Sequence, residues 1–370
     1  MQTERKIYGI HHITAITSSA LDNLWFYETV LGLRLVKQTV NFDDPYTYHL
    51  YYGDATGSPG TILTFFPWDN LPKGSPGSGM VTAISFAIPR SSIDFWKQRL
   101  ASKKIPTQAI DRFGEPVIQF SDSHGLPLEL IGTEKKGSNG HWRNRFIAEP
   151  HAITGFHSAT ATLTSMQASK SLLADVMGMR LVNQEKNRYR FKMNGSTPGS
   201  YYDIVVDPKA PAGKQGGGTV HHIAFRTENH TTQREWRSIL NASGLTVTNV
   251  RDRKYFQSIY FSAPEGVLFE IATDSPGFSI DEPLDALGGT LKLPEQFERL
   301  RSEIEGHLPP LRPKTHRYVF NAPQGEVDDG STLVTLHGTG GNEHDLIPFA
   351  ADASRTSAVL SPRGKVLEKG

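Results

Sequence analysis

The 370-residue chain contains no cysteine. Disulfides, thiolate metal sites and cysteine nucleophiles are therefore excluded, and any metal would have to be held by imidazole and carboxylate. A net charge of either sign is missing too: 39 Lys and Arg stand against 38 Asp and Glu, leaving +1. No global field draws the chain to nucleic acid or to an anionic membrane surface. Long apolar runs are also absent. Nothing approaches the ~18 residues that a membrane-spanning helix needs. Residues 1–5 are polar and no apolar segment follows them, so no signal peptide is expected. Together these absences point to a cytoplasmic protein without nucleic-acid or membrane partners, and they leave a homo-oligomer open. At ~100–200 residues per domain, two or three domains are expected.

Histidine is plentiful, with 14 residues, and its placement is ordered. A histidine pair opens a short apolar strand pattern twice, at Gly9-Ile10-His11-His12-Ile13-Thr14 and at Val220-His221-His222-Ile223-Ala224-Phe225. A third strand pattern, Gly266-Val267-Leu268-Phe269-Glu270-Ile271, sets a carboxylate into an apolar run.

The rest of the chain reads as repeats of one unit. Residues 7–16 have a strand pattern. Residues 19–30 carry Leu21, Leu24, Trp25, Tyr27 and Val30 at helical spacing, and Gly32 sits where a helix would stop. Strand patterns follow at 33–38, 46–53 and 61–67. The unit is β-α-β-β-β. A second copy covers residues 81–131, a third opens at 153, and a fourth runs from 220 to 273. Val30-Leu31-Gly32-Leu33-Arg34-Leu35-Val36 and Val176-Met177-Gly178-Met179-Arg180-Leu181-Val182 are nearly the same junction, which argues for duplication. The expected fold is α+β, with four such modules forming two open-barrel domains over 1–145 and 146–280. A closing helix and linker are expected over 281–313, and a separate segment over 314–370.

Two imidazoles and one carboxylate on one face of a metal leave positions open for other ligands. Successive strand residues point to opposite faces, so one histidine of each pair is expected to reach a shared metal. The repeats indicate which. Aligned on them, the second histidine position is Ala83 in copy two and Ser158 in copy three, while Glu129 matches Glu270. Copies one and four thus offer His12, His222 and Glu270. Copies two and three offer Ala83, Ser158 and Glu129, a set read as a vacant counterpart. A lone strand histidine is ordinarily a core or surface residue. The coincidence at equivalent repeat positions is what sets these apart.

The fourfold module resembles the vicinal oxygen chelate superfamily of glyoxalases and extradiol dioxygenases. Within it, the ligand spacing is similar to that of hydroquinone-type ring-cleaving dioxygenases over about residues 7–308. So are Tyr48-His49-Leu50-Tyr51-Tyr52, Gly57-Ser58-Pro59-Gly60-Thr61, Gly155-Phe156-His157-Ser158 and Tyr255-Phe256-Gln257-Ser258-Ile259-Tyr260. The resemblance implies that His12, His222 and Glu270 bind Fe(II), with Mn(II) as the alternative. It implies that Tyr260 hydrogen-bonds the ligated phenolate, and that His11 and His221 lie beside the same cavity and move protons. Arg253 would stand near the substrate or O2. The implied partners are a small aromatic diol and O2. A glyoxalase-type isomerase or lyase would need a fourth protein ligand, and a quinone- or drug-binding resistance protein would need no metal triad.

The segment after 313 changes character. Residues 331–336 form a β-branched strand pattern leading into His337-Gly338-Thr339-Gly340-Gly341-Asn342. This resembles the first strand and oxyanion loop of an α/β-hydrolase carboxylesterase or phospholipase domain. Ser361-Pro362-Arg363-Gly364 resembles that family's next strand end. No G-x-S-x-G follows, so the expectation is an incomplete, hydrolase-like segment without hydrolase activity.

Overall fold

The computed structural model describes residues 6–69, 71–134, 142, 144, 146–195, 198–311, 318–321, 332–335, 346–348, 350 and 358–362. The chain divides into two compact units, Met1–Pro309 and Pro310–Gly370.

In the first unit each module follows the expected order. Module one is β1 (Ile10–Thr17), α1 (Ala20–Leu24), β2 (Arg34–Asn41), β3 (Asp44–Gly53) and β4 (Ile62–Pro67). Module two is β5 (Met80–Pro89), α2 (Ile93–Ser102), β6 (Gln108–Arg112), β7 (Glu115–Ser121) and β8 (Pro127–Thr133). Module three is β9 (Phe156–Leu163), α3 (Gln167–Ser171), β10 (Arg180–Glu185), β11 (Arg188–Lys192) and β12 (Tyr201–Val206). Module four is β13 (Thr219–Thr227), α4 (His230–Ala242), β14 (Arg251–Asp252), β15 (Gln257–Ser262) and β16 (Leu268–Thr273).

The duplication extends to local distortions. In modules one and three the helix widens into a π turn, over Trp25–Val30 and Leu172–Val176. Each turn is closed by a glycine in the left-handed region, Gly32 at φ +71 and Gly178 at φ +69. The longest helix, α4, starts on an Asn229–Thr232 capping box. It buries Trp236 and Leu240, and the buried Gln233 amide donates to the carbonyls of Gln257 and Ile271 at 2.7 and 2.8 Å. That pairs a polar group which burial would otherwise penalise.

Among the described residues, these strands form two eight-stranded sheets. Their orders are β14-β15-β16-β13-β1-β4-β3-β2 and β10-β11-β12-β9-β5-β8-β7-β6. The sheets are not built from consecutive modules. Modules one and four share the first, and modules two and three share the second, which corrects the division into domains over 1–145 and 146–280. The reason lies in the first strand of each module. β1 finds its antiparallel partner in β13, and β5 finds its own in β9. Module two therefore pairs with module three and leaves one and four to each other. The two sheets are stitched where Ile10 N donates to Gly199 O at 2.9 Å and Phe156 N to Gly60 O at 2.8 Å. A Cβ on Gly60 would stand 2.6 Å from the Pro198 carbonyl oxygen, so only glycine fits there.

Segment 281–293 is strapped over β2. The buried Lys37 ammonium reaches Asp281 at 2.6 Å and Glu282 at 2.5 Å, and Arg34 donates to the carbonyls of Leu284 and Asp285 at 2.7 and 3.0 Å. The expected closing helix is a 3-10 stretch, Glu295–Leu300, followed by α5 (Arg301–His307).

In the second unit β17 (Tyr318–Asn321), β18 (Thr332–Val334) and β19 (Ala358–Pro362) form a sheet in the order β17-β19-β18. β18 runs parallel and β17 antiparallel to β19. The glycine-rich segment 337–342, on which the hydrolase-like expectation rested, lies outside the described residues, as do Arg363 and Gly364.

Candidate metal centre

The paired strands β1 and β13 each carry one extra residue. The register steps from Ile10↔Phe225 to His12↔Ala224, so His11 is skipped. It steps again from Thr14↔His222 to Ala15↔Val220, so His221 is skipped. The outer member of each histidine pair is thus the bulged residue, and a bulge re-aims its neighbours. In consequence His11 Nδ1 lies 2.9 Å from His12 Nδ1, and His221 Nδ1 lies 2.7 Å from His222 Nδ1. Simple alternation would have sent the members of each pair to opposite faces.

The inner histidines converge on Glu270 of β16. Glu270 Oε2 is 2.9 Å from His222 Nε2 and 3.3 Å from His12 Nε2, and the three ligand atoms all lie within 4.8 Å of one another. All three residues are buried. Although they are close, neither Glu270 Oε2 nor His222 Nε2 has a hydrogen-bond partner among the described residues. Buried polar atoms are rarely left so, and each orphan costs about 1–3 kcal/mol. Lone pairs turned to one point with no proton between them mark a place for a cation. The donor set suits a divalent first-row metal with open positions, and the residues fit such an ion. Ser258 Oγ donates to the other oxygen, Glu270 Oε1, and fixes the carboxylate. Burial would raise the Glu270 pKa, but the adjoining His12 and His222 hold it well below the ordinary carboxylate range.

For Nε2 to offer a lone pair, Nδ1 must carry the proton. His12 and His222 therefore donate from Nδ1 to His11 and His221, which fix the tautomer of each ligand. Burial, then the neighbouring His12, push the His11 imidazole well below its ordinary pKa, while a bond to the Thr273 backbone opposes this. His221 is pushed down to about 4, by burial and by His222. Both outer histidines are thus neutral at pH 7.

A cavity of about 420 Å³ opens over the triad. His12, His222, His221, Arg253 and Tyr260 line it. His11 is not among the lining residues. Tied to His12 and to the Thr273 backbone, it sits behind the ligand rather than beside the cavity, which corrects the expectation for it. Arg253 Nε donates to Tyr260 Oη at 3.3 Å, and Tyr260 stands opposite Glu270 in the sheet register. Burial and then Glu270 push the Tyr260 phenol up, so it keeps its proton. Arg253 is raised because Tyr260, Asp43 and Glu270 outweigh its burial. The Phe256 ring packs on both His12 and His11, at centroid distances of 4.9 and 5.1 Å. Its burial contributes about 1.5–3 kcal/mol and holds the imidazoles still. Phe66 and Trp68 form another wall.

The equivalent place in the second sheet is not vacant, as the residue types alone suggested. Its bulged residues are Thr82 and His157, and Ala83 and Ser158 stand where His222 and His12 stand in the first. Glu129 is there, but Arg112 grips it with two bonds of 2.6 Å, while Ser85 and Gln119 donate at 2.7 and 2.8 Å. Arg190 in turn bonds Asp203 at 2.9 Å and Glu115 at 2.6 Å. A guanidinium takes the place of a metal. Arg112 faces Glu115 across its hairpin as Arg253 faces Phe256, so the two arginines are repeat equivalents.

Sequence reasoning assigned no role to Arg112, or to a row of hydroxyls and imidazole formed by Tyr51, His49, Thr64 and Thr14. The position of Arg112, one hairpin before Glu129, was the available signal for the first. The Tyr-His-Leu-Tyr-Tyr run was the signal for the second.

A family model described as the Glyoxalase/Bleomycin resistance protein/Dioxygenase superfamily matches residues 9–130 and 155–271. MhqO of Bacillus subtilis, provisionally named a ring-cleaving dioxygenase, is 44% identical over 307 residues, spanning 83% of this chain and 97% of that protein. The chlorohydroquinone/hydroquinone 1,2-dioxygenase of Sphingobium indicum is 31% identical over 313 residues, spanning 82% and 97%. A crystal structure of a Bacillus subtilis protein, provisionally titled a dioxygenase, superposes with a TM-score of 0.81 at 44% identity, covering 83% of this chain and 99% of that one. Glyoxalase I of Zea mays shares the fold, with a TM-score of 0.55 at 10% identity over 72% of this chain and 92% of its own.

Proposed function

This chain belongs to the Glyoxalase/Bleomycin resistance protein/Dioxygenase superfamily, and from that membership we propose that it is a metal-dependent ring-cleaving dioxygenase that inserts O2 into a 1,4-dihydroxybenzene ring. The observation that carries the reading is the triad with its unpartnered Glu270 Oε2 and His222 Nε2, opening on a cavity with a cation and a phenol at its wall. The names of its relatives support the reaction, and that of the Sphingobium protein supports the ring class.

His12, His222 and Glu270 would hold the ion, Fe(II) in the first instance and Mn(II) as the alternative. When bound, such an ion supplies Lewis-acid activation of one ring hydroxyl and one-electron chemistry toward O2. The chain's own residues do the rest. His11 keeps His12 in the ligating tautomer. His221 keeps His222 in the ligating tautomer in the same way, and with Nδ1 accepting that bond its Nε2–H makes it a proton donor, not a base, toward the cavity. Tyr260 donates a hydrogen bond to the oxygen left behind, and Arg253 stabilises negative charge as it develops. Phe66, Trp68 and Phe256 flank the ring and keep water out. The cleavage is of extradiol type, at the bond beside a hydroxyl-bearing carbon. Among the described residues the cluster offers three ligand groups and no fourth, which disfavours a glyoxalase-like isomerase.

The test is oxygen uptake by anaerobically Fe(II)-loaded protein with hydroquinone, methylhydroquinone and catechol in parallel. Uptake with a hydroquinone and a new ring-fission absorbance is expected. Iron-loaded protein that consumes no O2 with any of them would overturn the proposal.

A further inference from the structure

Tyr51 and His49 line the cavity but take no part in holding the triad. They begin a hydrogen-bonded row across the first sheet. Tyr51 Oη lies 2.8 Å from His49 Nδ1, and His49 Nε2 lies 2.8 Å from Thr64 Oγ1. Thr64 Oγ1 donates to Thr14 Oγ1 at 2.9 Å.

The direction of this row follows from counting protons. Thr64 has one hydroxyl proton, and Thr14 receives it. Thr64 must then accept from His49, so the imidazole carries its proton on Nε2 and presents a bare Nδ1. Tyr51 must in turn donate to Nδ1. Only lone pairs remain at Tyr51 Oη, which is an acceptor with no proton to give. The Tyr51 ring is 1% exposed and wedged against Phe278 and Tyr255, at centroid distances of 5.2 and 6.2 Å. The oxygen is fixed in place as well as in polarity.

Its position suits a remote group. β3, which carries Tyr51, lies two strands from β1, which carries His12. That is roughly 10 Å across the sheet at ~4.8 Å per strand. A 1,2-diol presents both hydroxyls on one side of its ring, whereas a 1,4-diol presents one at each end. On the dioxygenase reading above, we infer that Tyr51 Oη accepts a hydrogen bond from the remote hydroxyl of a para-diol whose other hydroxyl is directed at the triad. His49 is a positioning residue that sets the polarity of Tyr51. The ligand class is a ring with a free donor para to the reacting hydroxyl, and a methyl ether at that place leaves the acceptor unsatisfied.

The experiment is calorimetric titration of anaerobic, Fe(II)-loaded protein with hydroquinone, 4-methoxyphenol and phenol. Wild-type protein should bind hydroquinone about tenfold or more tightly than 4-methoxyphenol, the effect of one hydrogen bond to a buried acceptor. Tyr51→Phe keeps the wedged ring and should bring the ratio close to one with iron content retained. His49→Leu frees the Tyr51 proton to donate, and the oxygen of either ligand can accept it, so the ratio should fall close to one while both ligands bind more tightly than phenol. Loss of packing alone would not favour both para-oxygen ligands over phenol. A Tyr51→Phe protein that keeps the hydroquinone preference overturns the assignment. These ratios are read without turnover. Failure of the dioxygenase reading would show separately, as no oxygen uptake by wild-type protein with any diol.

Discussion

The two eight-stranded sheets carry the same positions and fill them differently. Each places a glutamate opposite two bulged strands and an arginine one hairpin earlier. In the first sheet the neighbours are His12 and His222, and Glu270 keeps an oxygen without a partner. In the second the neighbours are Ser158 and Ala83, and Arg112 closes on both oxygens of Glu129. Arg253, the equivalent of Arg112, stands off from Glu270 and bonds Tyr260 instead. A buried carboxylate must be neutralised by something. Where imidazoles leave room for a cation, the arginine is released to the cavity wall. Where they are missing, the arginine becomes the counter-ion and the site turns structural.

The largest effect expected from this contrast is at the triad. His12→Ala, His222→Ala or Glu270→Ala should each abolish Fe(II) binding and turnover, read as iron per chain and oxygen uptake. Next come the cavity-wall residues. Arg253→Lys or Tyr260→Phe should keep iron and lower kcat by about 10²-fold, the usual cost of one lost charge-stabilising donor. In the second sheet the same chemical deletion should act on stability instead. Glu129→Ala leaves the Arg112 guanidinium buried and unpaired, costing about 3–5 kcal/mol in denaturant unfolding while iron binding survives. Arg112→Ala/Glu129→Ala should cost less than the sum of the single changes.

Acid gives the smallest and most graded separation. Burial alone would raise the Glu129 carboxyl, but Arg112, with Ser85 and Gln119, holds it down at about 2. A depressed carboxylate contributes stability that is fully present above its unfolded pKa and is lost as pH falls through the folded one. Wild-type protein should therefore lose stability between roughly pH 5 and pH 2. Glu129→Gln should flatten part of that loss, as followed by unfolding midpoints against pH. Glu115, also held at about 2, by His157 and Arg190 against its burial, accounts for a further part.

Much of this was legible in the chain. The module pattern, the repeated Val-Leu-Gly-Leu junction and the two histidine pairs with Glu270 are local signals, because strand and helix periods and ligand types are written in neighbouring residues. Aligning the repeats separated His12 and His222 from Ala83 and Ser158. Three things were not legible, and each depends on contacts distant in sequence. Module one pairs with module four because β1 meets β13, far along the chain. The bulges at His11 and His221 arise from the register between those strands, and they place His11 behind its ligand. Arg112 reaches Glu129 only once a hairpin is folded, so residue type alone suggested a vacancy where the structure has an ion pair.

The most direct measurement is anaerobic Fe(II) stoichiometry on wild-type, Glu129→Gln and Glu270→Gln proteins. One iron per chain is expected for the first two and none for Glu270→Gln. Two irons per chain in the wild type, or a full complement in Glu270→Gln, would contradict the triad assignment.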